Sequence, residues 1–274
     1  KRPFANIGPD DSDEVCGNEY TFNADTSGSG GYQGTWIIKD VIGNFSPNEY
    51  VPDATFTMTS MGSYGDSAYV TFPAIWSLSN GTCSDLDTME ITFYQEPMAY
   101  AGFDDSVCGL QYNLGAVYDL PENSTSYTAQ GQWTPLSSNP STANINNNNT
   151  DSTTVNVQSQ GLYGFEWKET NSEFPSCFSK DTVWIEFKEK PVIDAGNDFD
   201  VCGDSTYLDA TSTGYSGSWQ PVPGVIFDNP NDTSTQIHYA PSGPVSLVWQ
   251  EANNECTAKD TVTVTFWRKP TANL

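Results

Sequence analysis

Apolar and polar positions alternate strictly in short stretches along most of the chain. In "YTFNA" (20–24), Tyr20, Phe22 and Ala24 fall on one face. In "TVTVTF" (261–266), Val262, Val264 and Phe266 share one face and the threonines take the other. Period-two patterning of this kind predicts half-buried antiparallel strands. Turn-forming runs such as "TSGSGG" (26–31) and "NINNNNTD" (144–151) separate them. No long stretch carries a 3.6-residue period, so an all-β chain with almost no helix is expected.

The strands recur in a repeat. "VCG" occurs at 15–17, 107–109 and 201–203, each time followed by a Gly-x-Trp at Gly34–Trp36, Gly131–Trp133 and Gly217–Trp219. A strand with a second tryptophan comes next (Trp76, Trp167, Trp249). A second cysteine then opens the phrases "CSDLDTMEITF" (83–93), "CFSKDTVWIEF" (177–187) and "CTAKDTVTVTF" (256–266). Each unit closes on a proline, in "QEPMA" (95–99), "EKPVI" (189–193) and "RKPTA" (268–272). The register divides the chain into units 1–97, 98–191 and 192–270, with 271–274 starting a further repeat or linker. The first residues read as the interior of a longer chain. About seven short strands per unit, with a tryptophan on a central strand, predict three tandem immunoglobulin-like β-sandwich domains. Trp36, Trp133 and Trp219 are expected as core anchors. Short, proline-stiffened linkers predict an elongated array, roughly 100 Å long for three units in line.

Six cysteines sit two per unit in the same order. The even count and the constant flanking phrases lead to the expectation of one staple within each unit: Cys16–Cys83, Cys108–Cys177 and Cys202–Cys256. Each such bridge would contribute about 4 kcal/mol in the chain-entropy account. Zinc is disfavoured by the absence of C-x-x-C or Cys/His clusters, and a catalytic cysteine by the presence of one histidine, His238. Structural disulfides point to an oxidising, extracellular compartment. The recurring Asp-Thr reads as a turn in which the aspartate bonds nearby backbone N–H groups.

Charge narrows the partners. The formal net charge is -25, and no Lys or Arg lies between Lys39 and Lys168. Nucleic acid and anionic lipid are repelled by such a surface. Aromatics at 13% separate the chain from disordered polyanions. No apolar run approaches the length of a membrane span, so no membrane insertion is expected. No cofactor is required; calcium is the candidate ion, with oxygen ligands from Asp10, Asp11, Asp13, Asp104, Asp105, Asp194, Asp198 and Asp200 near the unit boundaries. Solvated acidic loops are the first reading of those residues, ahead of bound calcium. No catalytic set emerges, and the chain reads as a non-enzyme.

The phrases "DAGNDFDVCG" (194–203), "GSW" (217–219) and "ECTAKDTVTVTF" (255–266) resemble the PKD-like or immunoglobulin-like repeats of very large surface proteins of gliding bacteria. The middle unit keeps the pattern as "AGFDDSVCG" (101–109) and the first more loosely as "NIGPDDSDEVCG" (6–17). The repeats are similar to those of SprB-type gliding-motility adhesins. The resemblance implies type IX secretion, cell-surface display as long filaments and adhesion to a substratum or extracellular polysaccharide, with neighbouring repeats of the same chain as the immediate partners. It also implies O-glycosylation at Asp-Ser/Thr motifs, matched by Ser67, Thr88, Ser106, Ser152, Thr182, Ser205 and Thr261. The alternative function is a carbohydrate-binding array of a secreted protein, with Tyr64, Tyr69, Tyr127 or Tyr215 as stacking platforms.

Overall fold

The computed structural model describes residues 3–8, 11–25, 32–59, 69–118 and 129–270. Among them there is no helix, and so none long and apolar enough to cross a membrane. The first domain contains β1 (Ser12–Cys16), β2 (Glu19–Thr21), β3 (Gln33–Ile38), β4 (Gly43–Ser46), β5 (Thr55–Met58), β6 (Tyr69–Ser79) and β7 (Ser84–Tyr94). The second contains β8 (Ala99–Tyr100), β9 (Asp105–Cys108), β10 (Gln111–Gly115), β11 (Val117–Tyr118), β12 (Ala129–Pro135), β13 (Ala143–Ile145), β14 (Ser152–Val157), β15 (Gly161–Asn171) and β16 (Phe178–Lys188). The third contains β17 (Phe199–Cys202), β18 (Ser205–Tyr207), β19 (Ser216–Trp219), β20 (Val225–Phe227), β21 (Gln236–Tyr239), β22 (Gly243–Asn253) and β23 (Cys256–Trp267).

Each domain packs a four-stranded sheet on a three-stranded one. The orders are β1-β7-β6-β3 with β2-β5-β4, then β12-β15-β16-β9 with β10-β14-β13, then β17-β23-β22-β19 with β18-β21-β20. A short pair, β11-β8, supplements the second domain. This is the immunoglobulin-like sandwich. Its edge strand is the informative one. β1, β9 and β17 run parallel to the last strand of their own domains, while every other pairing in these sandwiches is antiparallel.

The "VCG" motif marks where that strand crosses to the other sheet. Gly17, Gly109 and Gly203 have φ of 96°, 108° and 132°, a region open to glycine and costly for other residues. Their N–H groups close the ladder on the last strand, donating to the carbonyls of Tyr94, Lys188 and Trp267 at 2.9, 2.9 and 3.0 Å.

The Gly-x-Trp motif has a packing cause. Trp36, Trp133 and Trp219 lie buried at the centres of three separate cores, each against the second tryptophan, with ring centroids 4.9, 5.0 and 5.4 Å apart. A Cβ on Gly34 would lie 1.9 Å from Trp76 Cζ2, and one on Gly217 2.4 Å from Trp249 Cζ2. The glycine is the space the indole fills.

The Asp-Thr phrase corrects the sequence reading. The phrase lies inside the last strand, not in a turn, and its aspartate bonds both the next N–H, as Asp87 does that of Thr88 at 3.0 Å, and one across the domain. Asp87, Asp181 and Asp260 accept from the N–H of Ile7, Ala101 and Ala195 at 2.9, 2.8 and 2.7 Å. These carboxylates fasten the opening segment of each domain to its last strand, just before that segment becomes the parallel edge. Asp260 is held below the ordinary carboxylate range, chiefly by the Ala195 N–H and then by that of Thr261.

Candidate functional site: the joints between domains

The within-unit staples Cys16–Cys83, Cys108–Cys177 and Cys202–Cys256 do not form. Instead Cys16 bonds Cys177, and Cys108 bonds Cys256; Cys83 and Cys202 are free and exposed. Parallel pairing of the edge strand is the reason. It sets Cys16, Cys108 and Cys202 opposite Tyr94, Lys188 and Trp267, each eleven residues beyond the second cysteine of its own domain. Eleven residues of strand span roughly 35 Å, and a disulfide needs Cα atoms within about 7 Å. The first cysteine therefore sits at the trailing pole of its domain. The second sits at the leading pole, at the tip of the long final hairpin. Only consecutive domains bring the two kinds together, with Cα separations of 5.0 and 5.5 Å.

Each bridge lies in a built contact. In the first joint Cys177 is fully buried, and Phe174 stacks on Tyr94 of the preceding domain at 4.6 Å. Burial and a 2.8 Å hydrogen bond to Glu14 push the Tyr94 phenol up to about 12, which keeps it a neutral donor. Asn171 donates through Nδ2 to the carbonyl of Gln95 in the linker at 3.0 Å. In the second joint Cys256 is fully buried, and Lys188 pairs with Glu255 at 2.8 Å. The Lys188 ammonium, by hydrogen bond and charge, holds Glu255 below the usual carboxylate range. Asn253 repeats the linker bond, donating to the Glu189 carbonyl at 3.0 Å, and Tyr215 donates to the Glu189 carboxylate at 2.6 Å.

Sequence reasoning missed Asn171 and Asn253, although a signal exists. Both stand four residues after the second tryptophan, and the first unit has Asn80 there. It also missed Glu169 and Glu251, two residues after that tryptophan. Their carboxylates, buried in the sandwich, accept from Trp167 Nε1 at 2.8 Å and from Trp249 Nε1 at 3.1 Å. The first unit has Leu78 in that place, and Trp76 Nε1 is the buried side-chain polar atom left without a partner among the described residues.

No protein family and no curated protein matches the chain. Solved structures that match include the I-band fragment I67–I69 from titin, 13% identical, covering 97% of this chain and 99% of that one, with a TM-score of 0.42. Drosophila OTK extracellular domains 3–5 match at 11% identity over 96% of this chain and 97% of that one, TM-score 0.36. Mouse cadherin-23 EC22–24 matches at 10% identity over 95% and 96%, TM-score 0.26. The fold assignment rests on the strand topology given above.

The remaining candidate residues fall as follows. Asp10 lies outside the described residues; Asp11 and Asp200 are on the edge-strand segments of their domains. Asp104 and Asp198 accept from the N–H of Trp184 and Thr263 at 2.8 and 2.7 Å. Asp13 and Asp105 each cap the next N–H and accept from a tyrosine, Tyr20 and Tyr112. Asp194 caps Gly196. Most of the proposed calcium ligands thus serve the backbone, and among the described residues no three His, Cys, Asp or Glu side chains gather as a metal site. Thr88, Ser152 and Thr261 are exposed; Ser106, Thr182 and Ser205 are half-buried; Ser67 lies outside the described residues. His238 faces outward on β21, 3.4 Å from Asp228. Tyr69 leans on Tyr94, and Tyr215 belongs to the second joint, while Tyr64 and Tyr127 lie outside the described residues.

Proposed function

We propose that the chain is a structural, non-catalytic segment of an extracellular cell-surface adhesin filament, in which its domains supply reach. The observation that carries this reading is the covalent bond across each joint. A linker and a disulfide together hold neighbouring domains at two points, which limits rotation where a single linker would leave a hinge. Disulfides also favour an oxidising compartment. The acidic surface keeps adjacent filaments soluble and apart. The sequence resemblance to repeats of gliding-motility adhesins, with their type IX export, supports the same reading at a finer level.

Small-angle scattering tests it. The oxidised chain is expected to scatter as a rod on the order of 100 Å long, from three strand-length domains in line. A compact particle overturns the reading. The resemblance also carries the O-glycosylation proposal, for which exposed Thr88, Ser152 and Thr261 are the open acceptors. Protein isolated from its native source is expected to exceed the sequence mass by whole sugar units; an intact mass equal to the bare chain overturns that proposal.

A further inference from the structure

Each joint is assembled from the same parts. The preceding domain contributes its first cysteine, the residue paired opposite it on the last strand, and the next carbonyl: Cys16, Tyr94 and Gln95, or Cys108, Lys188 and Glu189. The following domain contributes its second cysteine and the asparagine after its second tryptophan: Cys177 and Asn171, or Cys256 and Asn253.

The molecule holds a third set of both halves, at opposite ends. The third domain presents Cys202, with Trp267 opposite it and Arg268 next. The first domain presents Cys83 and Asn80. Three observations mark these as joint surfaces. Cys83 is exposed, whereas Cys177 and Cys256 at the equivalent place are fully buried in their joints. Trp267 is 59% exposed, while Tyr94 at the equivalent place is 8% exposed under Phe174 of the next domain. The local geometry of Asn80 already matches that of Asn171. Asn80 Oδ1 accepts from the N–H of Thr82 and Cys83, as Asn171 Oδ1 accepts from Glu173 and Phe174. In Asn171 this leaves Nδ2 directed at the preceding linker. Beside Cys202, a hollow of about 260 Å³ lined by Trp267, Pro241 and Lys269 faces outward.

We propose that these ends are the two halves of one more joint. The Cys202 end of one copy docks on the Cys83 end of a second copy, in the head-to-tail sense of the internal joints, and the two thiols close a disulfide. The contact is heterologous, so each added copy presents a further free Cys202 end or Cys83 end to the next. The two thiols give up two protons and two electrons to a small disulfide such as oxidised glutathione, which leaves as two thiols after a mixed-disulfide step. This inference stands on the joints alone and does not require the adhesin reading.

The test is a tandem chain in which Lys269 is followed directly by Pro3 of a second copy, keeping the Lys-Pro register of the second linker. After oxidation with glutathione disulfide, peptide mapping is expected to find Cys202 of the first copy bonded to Cys83 of the second. Both should be closed to alkylation, while the outermost Cys83 and Cys202 still react. Finding the four internal bridges intact with all of these thiols reactive overturns the proposal. A second measurement needs no fusion. Chains of residues 1–274 carrying Cys83→Ser or Cys202→Ser, mixed and oxidised, are expected to give the Cys202–Cys83 heterodimer well above its share in a random 1:2:1 mixture. A statistical mixture of the three overturns it.

Discussion

Cys256→Ser is expected to cost about 4 kcal/mol of stability, and Cys202→Ser under about 0.5 kcal/mol, within the range of ordinary surface changes. The two residues belong to one domain and carry equal weight in a within-unit pairing, so the contrast separates the two arrangements. The third domain is tied to its neighbour at the Glu189–Pro191 linker and again at Cys108–Cys256. If it unfolds while the second domain stays folded, the chain from linker to Cys256 remains a closed loop. The lost entropy of that loop destabilises the unfolded state as an internal bridge would. Cys16→Ser should accordingly weaken two domains, because the bridge closes a loop in whichever of them opens. Urea unfolding followed by tryptophan fluorescence reads both effects. Equal losses for Cys202→Ser and Cys256→Ser would return the bridge to the interior of the domain.

The sequence made much of this architecture legible because its signals are local. Alternation in "TVTVTF" marks one face of β23, and Val262, Val264 and Phe266 are all buried. The Trp pairs announce the cores, and Trp36, Trp133 and Trp219 are buried as expected. What was not legible depends on strand direction. A parallel edge strand and an antiparallel one share the same alternation, yet they send the first cysteine to opposite poles. That one choice reverses the meaning of all six cysteines. The Asp-Thr phrase was opaque for a related reason: Asp181 serves Ala101, 80 residues away, and period-two patterning carries no information about such a partner. The glutamate after the second tryptophan was visible as Trp167-x-Glu169 and Trp249-x-Glu251, but nothing in the sequence marks a carboxylate as buried, since burial of a carboxylate is the exception.

Glu251 is where that exception has its largest consequence. The residue is fully buried, with one oxygen accepting from Trp249 Nε1 at 3.1 Å and the other from Thr213 Oγ1 at 3.0 Å and Thr213 N at 3.3 Å. Burial pushes its pKa up, but the hydrogen bonds from Ser212, Trp249 and Thr213 together hold it below the ordinary carboxylate range. Removing the carboxylate in Glu251→Ala leaves the Trp249 Nε1–H buried without an acceptor, whereas Ser212 and Thr213 are exposed and can turn to water. At about 1–3 kcal/mol for one unsatisfied buried group, a loss of about 2 kcal/mol is expected. For a domain of this size that lowers the melting temperature by at least about 8 °C. Glu251→Gln keeps one acceptor and sets an NH2 group against the Thr213 donors, so it should fall between wild type and alanine. The pH dependence follows from the sign of the shift. A carboxylate with a depressed folded-state pKa stabilises the fold fully above its unfolded value, about 4.3, and that contribution disappears as pH falls through the folded value. Wild type should therefore lose stability below about pH 4.3 more steeply than either variant, in calorimetric scans between neutral and acid pH. Parallel acid profiles for wild type and Glu251→Gln would show that the hydrogen bonds to this carboxylate do not hold the domain together.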